Sequence, residues 1–137
     1  MNTYVLDTSV AVAWYLEEAF SPSAREWQER MVKGKIVLLI PSLHYWEFAN
    51  VLRTLVLRRE ISGPLAREVY ELHLEGPLER AEPDERQILD VAFEYGATAY
   101  DAVYIALSLS RGVQLITAER TTTPWVVKLG DRIEPVR

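Results

Sequence analysis

Four of the twenty acidic residues, Asp7, Glu47, Asp101 and Glu119, fall at or near the handover from one expected structural element to the next. Asp7 follows a β-branched and aromatic run. Glu47 lies a few residues into the helix after a second apolar run, Asp101 is in the first turn of a later helix, and Glu119 follows a third apolar run. Only five of the acids are aspartates, and Asp7 and Asp101 among them have apolar flanks, where an unpaired charge is costly unless a cation compensates it. Several converging carboxylates with no matching lysine cluster suit a hard, oxygen-liganded divalent ion such as Mg²⁺ or Mn²⁺. An ion held this way can make a water nucleophilic and stabilise developing negative charge. Each acid also has a plainer use. Asp7 can cap the helix after it, and Asp101 stands three residues after Thr98, the capping-box spacing. Glu47 can be an exposed helix glutamate, although Leu43, His44, Asn50 and Val51 at helical spacing give it no cation to pair with. Glu119 can be a solvated loop acid.

Other polar residues are candidates for supporting roles. The hydroxyls of Thr8, Ser9 and Thr117 can orient the neighbouring carboxylates, touch a phosphate, or satisfy turn backbone. His44 precedes Glu47 by three residues, a spacing open to a ligand role or a structural one, whereas His73 falls on a polar helix face and carries no signal. Arg outnumbers Lys by 12 to 3, which suits bidentate phosphate contacts. Arg53, Arg58 and Arg59 form either a phosphate-facing patch or a solvated helix end favoured by the dipole. Trp14, Trp27 and Trp46 read as core or interface residues. The six glycines never form a dinucleotide or P-loop fingerprint, and no Gly-x-Ser-x-Gly elbow exists. A dehalogenase-type phosphotransferase wants a second acid at position 9, which is Ser9. A receiver wants a strand-end lysine near the acids, and the only lysine after residue 35 is Lys128.

The elements that must hold these residues follow from composition and pattern. A length of 137 residues with 49% hydrophobic and 26% charged side chains fits one domain, residues 1–137, with its own core. A net charge of -5 argues against a large basic surface gripping nucleic acid, yet leaves room for a nuclease whose acids bind metal. With no cysteine, thiolate zinc sites, cysteine nucleophiles and disulfides are excluded. The longest uninterrupted apolar run, Val10 to Leu16, is far short of the roughly 20 residues of a membrane span. No basic region precedes an apolar stretch at the start, so a cytoplasmic protein without membrane contact is expected. Thr3 to Leu6, Ile36 to Ile40, Val113 to Thr117 and Arg132 to Val136 read as strands, with a short extended piece near Leu78 to Ala81. Helices are expected from Val10 to Leu16, from Ser21 to near Gly34, and from Leu43 to about Glu60 under a Ser42 cap. Further helices start after Ser62, after the Asp84–Gln87 capping-box pair, and after Thr98. Alternating strands and helices imply right-handed crossovers, a mainly parallel central sheet and a three-layer α/β/α fold.

Four segments in order, Tyr4-Val5-Leu6-Asp7-Thr8-Ser9, Trp46-Glu47-Phe48-Ala49-Asn50-Val51-Leu52, Tyr100-Asp101-Ala102-Val103-Tyr104-Ile105-Ala106-Leu107 and Leu115-Ile116-Thr117-Ala118-Glu119, resemble those of PIN-domain ribonucleases. Over essentially its whole length the chain is similar to the VapC toxins of VapBC toxin–antitoxin systems. The resemblance implies a PIN-like α/β/α fold and a Mg²⁺- or Mn²⁺-dependent endoribonuclease. Its metal site would use Asp7, Glu47, Asp101 and the position of Glu119. It also implies an RNA substrate, a homodimer and a cognate antitoxin. The fourth acid is usually Asp in the family and here is Glu. That departure favours the competing reading, a non-catalytic or weakly active PIN-like module that acts by binding a partner.

Overall fold

The computed structural model describes residues 2–137. Strands β1 (Asn2–Leu6), β2 (Ile36–Ile40), β3 (Glu79–Arg80), β4 (Gln114–Thr117) and β5 (Ile133–Pro135) form one sheet in the order β3-β2-β1-β4-β5, with every neighbouring pair parallel. The expectation of a mainly parallel sheet is met by a wholly parallel one. Strands this apolar must bury both faces, and adjacent residues indeed enter opposite cores. Leu6, Leu38, Ile40 and Ile116 pack on one side with α1 (Thr8–Tyr15), α2 (Ser21–Val32), α3 (Leu43–Leu57) and α4 (Gly63–Glu75). Val5, Leu39, Leu115 and Ile133 pack on the other with α5 (Ile88–Tyr95), α6 (Ala99–Arg111) and α7 (Pro124–Leu129). The molecule therefore has three layers, α/β/α.

The chain runs from β1 outward to β2 and β3, then crosses back to β4 and β5 on the opposite side of β1. The strand order thus reverses at β1 and β4, and the crevice beyond their C-terminal ends is where open α/β sheets receive ligands. Asp7 N–H donates to Ile116 O at 3.0 Å, carrying the β1–β4 pairing one residue past the strand and fixing Asp7 at that crevice.

Several local expectations are corrected. The first helix starts at Thr8, not Val10. Ser42 does not cap α3 through its side chain, because its hydroxyl and amide are both bound to the Glu82 carboxylate. That helix ends at Leu57, short of Glu60, where Arg59 takes a left-handed φ of 60° and the Glu60 amide closes back on Leu55 O. Asp84 caps a 3₁₀ turn at Glu85–Gln87 ahead of α5. The six-residue α7, opened by Pro124, was not expected; its apolar content is too short a run for helical periodicity to register.

Candidate active site

Asp7 occupies the N-cap position of α1, yet its side chain makes no capping bond. The carboxylate instead receives two hydroxyls on one oxygen: Thr117 Oγ1 donates to Oδ2 at 2.7 Å and Ser9 Oγ at 3.2 Å. Thr117 ends β4 and Ser9 lies in the first turn of α1, so the two elements flanking the crevice clamp this acid. The same hydroxyl oxygens accept backbone N–H groups of the following loop, Thr117 Oγ1 from Glu119 N at 3.0 Å and Ser9 Oγ from Ala118 N at 3.2 Å. They therefore orient a carboxylate and satisfy turn backbone at once.

Glu47 is half-buried on α3 and is held in a similar way. Tyr104 Oη donates to its Oε1 at 2.6 Å and Thr8 Oγ1 at 3.1 Å. Tyr104 is buried on α6, one turn beyond Asp101, so α1, α3 and α6 meet at this carboxylate. Asp101 is positioned by its helix start, where the Thr98 hydroxyl accepts Asp101 N–H at 3.1 Å. Glu119 is exposed on the loop after β4, its carboxylate near Arg120 N at 3.4 Å and Thr123 Oγ1 at 3.3 Å.

Uncompensated charge marks the first three acids. Asp7 is pushed up to about 6, chiefly by burial and further by the charges of Asp101 and Glu47, against the pull of the Thr117 and Ser9 hydroxyls. Burial also raises Glu47; Tyr104 and Thr8 lower it, and Asp101 adds to the rise. Asp101 is raised by burial and by Glu119, partly offset by Thr98. Among the described residues the ion pairs are Arg25–Glu17 and Lys33–Glu29, so none of these acids has a cationic partner. The structure thus brings Asp7, Glu47 and Asp101 within electrostatic reach of one another, with Glu119 at their edge beside Asp101.

This donor set fits a hard dication. All the donors are carboxylate oxygens, and hydroxyls hold Oδ2 of Asp7 and Oε1 of Glu47 while the other oxygen of each takes no hydrogen bond among the described residues. Still, among the described residues no three His, Asp or Glu side chains are gathered closely enough to hold an ion as they stand. Like charges with no cation between them repel, and drawing them together is what an ion would do.

His44 takes the structural one of its two expected roles, whereas His73, expected on a polar face, is fully buried, as is His44. Their Nε2 atoms are 2.8 Å apart, His44 Nδ1 lies 3.2 Å from Thr8 Oγ1, and His73 Nδ1 lies 2.9 Å from Tyr15 Oη. Tyr104 and this histidine pair are what the sequence reasoning missed. Tyr104 stood in plain view three residues after Asp101, on the same helix face. Trp14 and the partly buried Trp27 join the first core, but Trp46 is 68% exposed. With Tyr100 and Glu47 it lines a groove of about 420 Å³ between α3 and the start of α6.

The profile of the PIN domain matches residues 4–121. Solved structures share the fold at low identity. PAE2754 from Pyrobaculum aerophilum is 22% identical with a TM-score of 0.74, over 96% of this chain and 83% of that one. VapBC2 from Rickettsia felis, bound to a DNA fragment from its promoter, is 13% identical with a TM-score of 0.67, over 98% and 99%. VapC20 from Mycobacterium tuberculosis, a sarcin-ricin loop cleaving toxin, is 15% identical with a TM-score of 0.61, over 93% and 95%. No curated protein matches the chain.

Proposed function

The chain belongs to the PIN-domain family, and from that premise we propose that it is a divalent-metal-dependent endoribonuclease, the toxin of a toxin–antitoxin pair. One observation carries this reading: three half-buried carboxylates without a cation converge at the sheet's switch point, two of them clamped by hydroxyls through a single oxygen. Asp7 and Asp101 are the primary ligands in this reading, Glu47 a further ligand or the orienter of a water, and the exposed Glu119 a weaker contributor. When bound, Mg²⁺ or Mn²⁺ would supply a nucleophilic water and stabilise charge on the phosphate. The chain's own part is to hold the free oxygens of Asp7 and Glu47 in fixed directions and to keep both acids ionised through hydroxyl donors. Neutralising these carboxylates would also admit an RNA phosphate to a protein of net charge -5.

The partners in this reading are a second copy of the chain and a cognate antitoxin. Exposed Trp46, Tyr100, Phe93 and Leu89 on α3, α5 and α6 supply apolar surface for association. The antitoxin would place an arginine among the acids, the side chain whose fork best matches a carboxylate pair. No helix among the described residues is long and apolar enough to cross a membrane. That no three acids among the described residues are gathered closely enough to hold an ion as they stand, and that Glu119 is exposed, favour a second reading, a partner-binding module with a weakened metal site.

RNA cleavage by purified protein decides between them. The proposal expects cleavage in Mg²⁺ or Mn²⁺ that EDTA stops and that Asp7→Asn and Asp101→Asn abolish while remaining folded. Wild-type rates in both variants would remove these acids from the mechanism. Metal-independent inertness of the wild type toward all RNAs tested would favour the binding module.

A further inference from the structure

A buried hydrogen-bonded chain leads from Tyr15 through His73, His44 and Thr8 to Glu47, and crosses α1, α4 and α3. Both imidazoles are fully buried and each uses both ring nitrogens. Two Nε2 atoms 2.8 Å apart share one proton, since two would clash and none would leave two lone pairs facing each other. The chain therefore runs in one of two directions. In the first, Tyr15 donates to His73 Nδ1, His73 Nε2–H to His44 Nε2, and His44 Nδ1–H to Thr8 Oγ1, which frees the Thr8 proton for Glu47 Oε1 at 3.1 Å or for Tyr104 Oη at 2.7 Å, itself a donor to Glu47. In the second every donor reverses, Thr8 gives its proton to His44, and its bare oxygen faces Glu47 Oε1 at 3.1 Å. An ionised Glu47 selects the first.

We propose that His44 and His73 are positioning residues for Glu47, their shared proton fixing the Thr8 hydroxyl as a donor toward its carboxylate, directly or through the Tyr104 hydroxyl. Burial holds both imidazoles below their ordinary value, consistent with a neutral pair carrying one proton between its rings. The consequence for metal binding rests on the reading of Glu47 as part of an ion site; the direction of the chain does not.

Nitrogen-15 NMR of the histidine side chains in the metal-free protein at pH 7.5 tests the direction. The expected result is Nδ1–H on His44 and Nε2–H on His73. In Glu47→Leu both tautomers should switch, because the buried Tyr104 hydroxyl, 2.7 Å from Thr8 Oγ1, then has only the Thr8 oxygen to donate to. The opposite tautomers in wild type, or no change in Glu47→Leu, overturn the proposal. His44→Asn and His44→Gln test the consequence through Mn²⁺ affinity measured by calorimetry. The Asn amide overlies Nδ1 and keeps the donor to Thr8, whereas the Gln amide overlies Nε2 and loses it, and each leaves one buried neighbour unpaired. His44→Asn should bind Mn²⁺ within about threefold of wild type and His44→Gln about tenfold more weakly, the loss of one hydrogen bond to a charged group. Equal affinities overturn the positioning role. Failure of the wild type to bind Mn²⁺ contradicts the proposed function instead, with the tautomers still deciding the direction of the chain.

Discussion

Asp7→Asn is expected to make the metal-free protein more stable. The Asp7 carboxyl sits at about 6 in the folded protein against an ordinary 3.8. At 1.36 kcal/mol per pKa unit, holding it ionised in the fold costs about 3 kcal/mol at pH 7.5. The hydrogen bonds from Thr117 and Ser9 already lower the folded value, so their contribution lies inside that figure. Asn stands in for the protonated carboxyl and escapes the cost. Between pH 3.8 and 6 the unfolded chain has released a proton that the folded chain still holds, so wild-type stability falls as pH rises through that window. Urea unfolding in EDTA, followed by tryptophan fluorescence, should show the two proteins equal near pH 4 and Asp7→Asn about 3 kcal/mol more stable at pH 7.5. Taking the difference between variants cancels the titrating groups outside the cluster and leaves Asp7 with its coupling to Asp101 and Glu47. With Mn²⁺ the order should narrow or reverse, because an ion that binds only folded wild type raises its stability alone. A difference independent of pH, or a metal-free wild type more stable than Asp7→Asn at pH 7.5, would refute the claim that Asp7 carries uncompensated charge.

The histidine pair acts in the opposite sense: His73 is held near 4 against an ordinary 6.5 and His44 well below it. Stability from His73 is therefore full above 6.5 and lost on acidification toward 4. His73 alone should take about 3 kcal/mol from the stability of Asp7→Asn in EDTA over that range, with His44 adding to the fall, and a flat profile would place the histidines in water. Tyr104→Phe removes the shorter donor to Glu47 and should cost about 2 kcal/mol in urea unfolding, the range of a hydrogen bond to a charged group, with Mn²⁺ binding weakened several-fold; unchanged binding would detach Tyr104 from the site. Glu119→Asp should keep or raise RNA cleavage, and Glu119→Ala should reduce it far less than Asp7→Asn does. Equal damage from Glu119→Ala and Asp7→Asn would give Glu119 a primary role.

The layers, the parallel sheet and most helix boundaries were legible because apolar runs and cap residues are local signals. Thr98 and Gly112 bracket α6 as expected. Asp7 and Asp101 were legible as junction acids because polar residues after buried strands have few uses. What escaped notice depends on contacts distant in sequence. His73 looked solvent-facing beside its charged helix neighbours, but its burial comes from α1 and α3 closing over α4, with Tyr15 58 residues away and His44 29 residues away. Ser42 looked like a cap until Glu82, forty residues on, took both its hydroxyl and its amide. Arg59 ends α3 in a conformation normally left to glycine, and no glycine was there to mark it. Tyr104 passed for a core aromatic because its ring is buried, while its function lies in the hydroxyl that reaches Glu47.

The central claim is that Asp7, Glu47 and Asp101 together hold a divalent ion. Anomalous diffraction at the manganese edge, from crystals equilibrated with Mn²⁺, tests it most directly. One well-occupied peak among the three carboxylates is predicted, with any second peak toward Glu119 weak unless phosphate is present. No peak at saturating Mn²⁺, or a full peak away from Asp7 and Asp101, would contradict it.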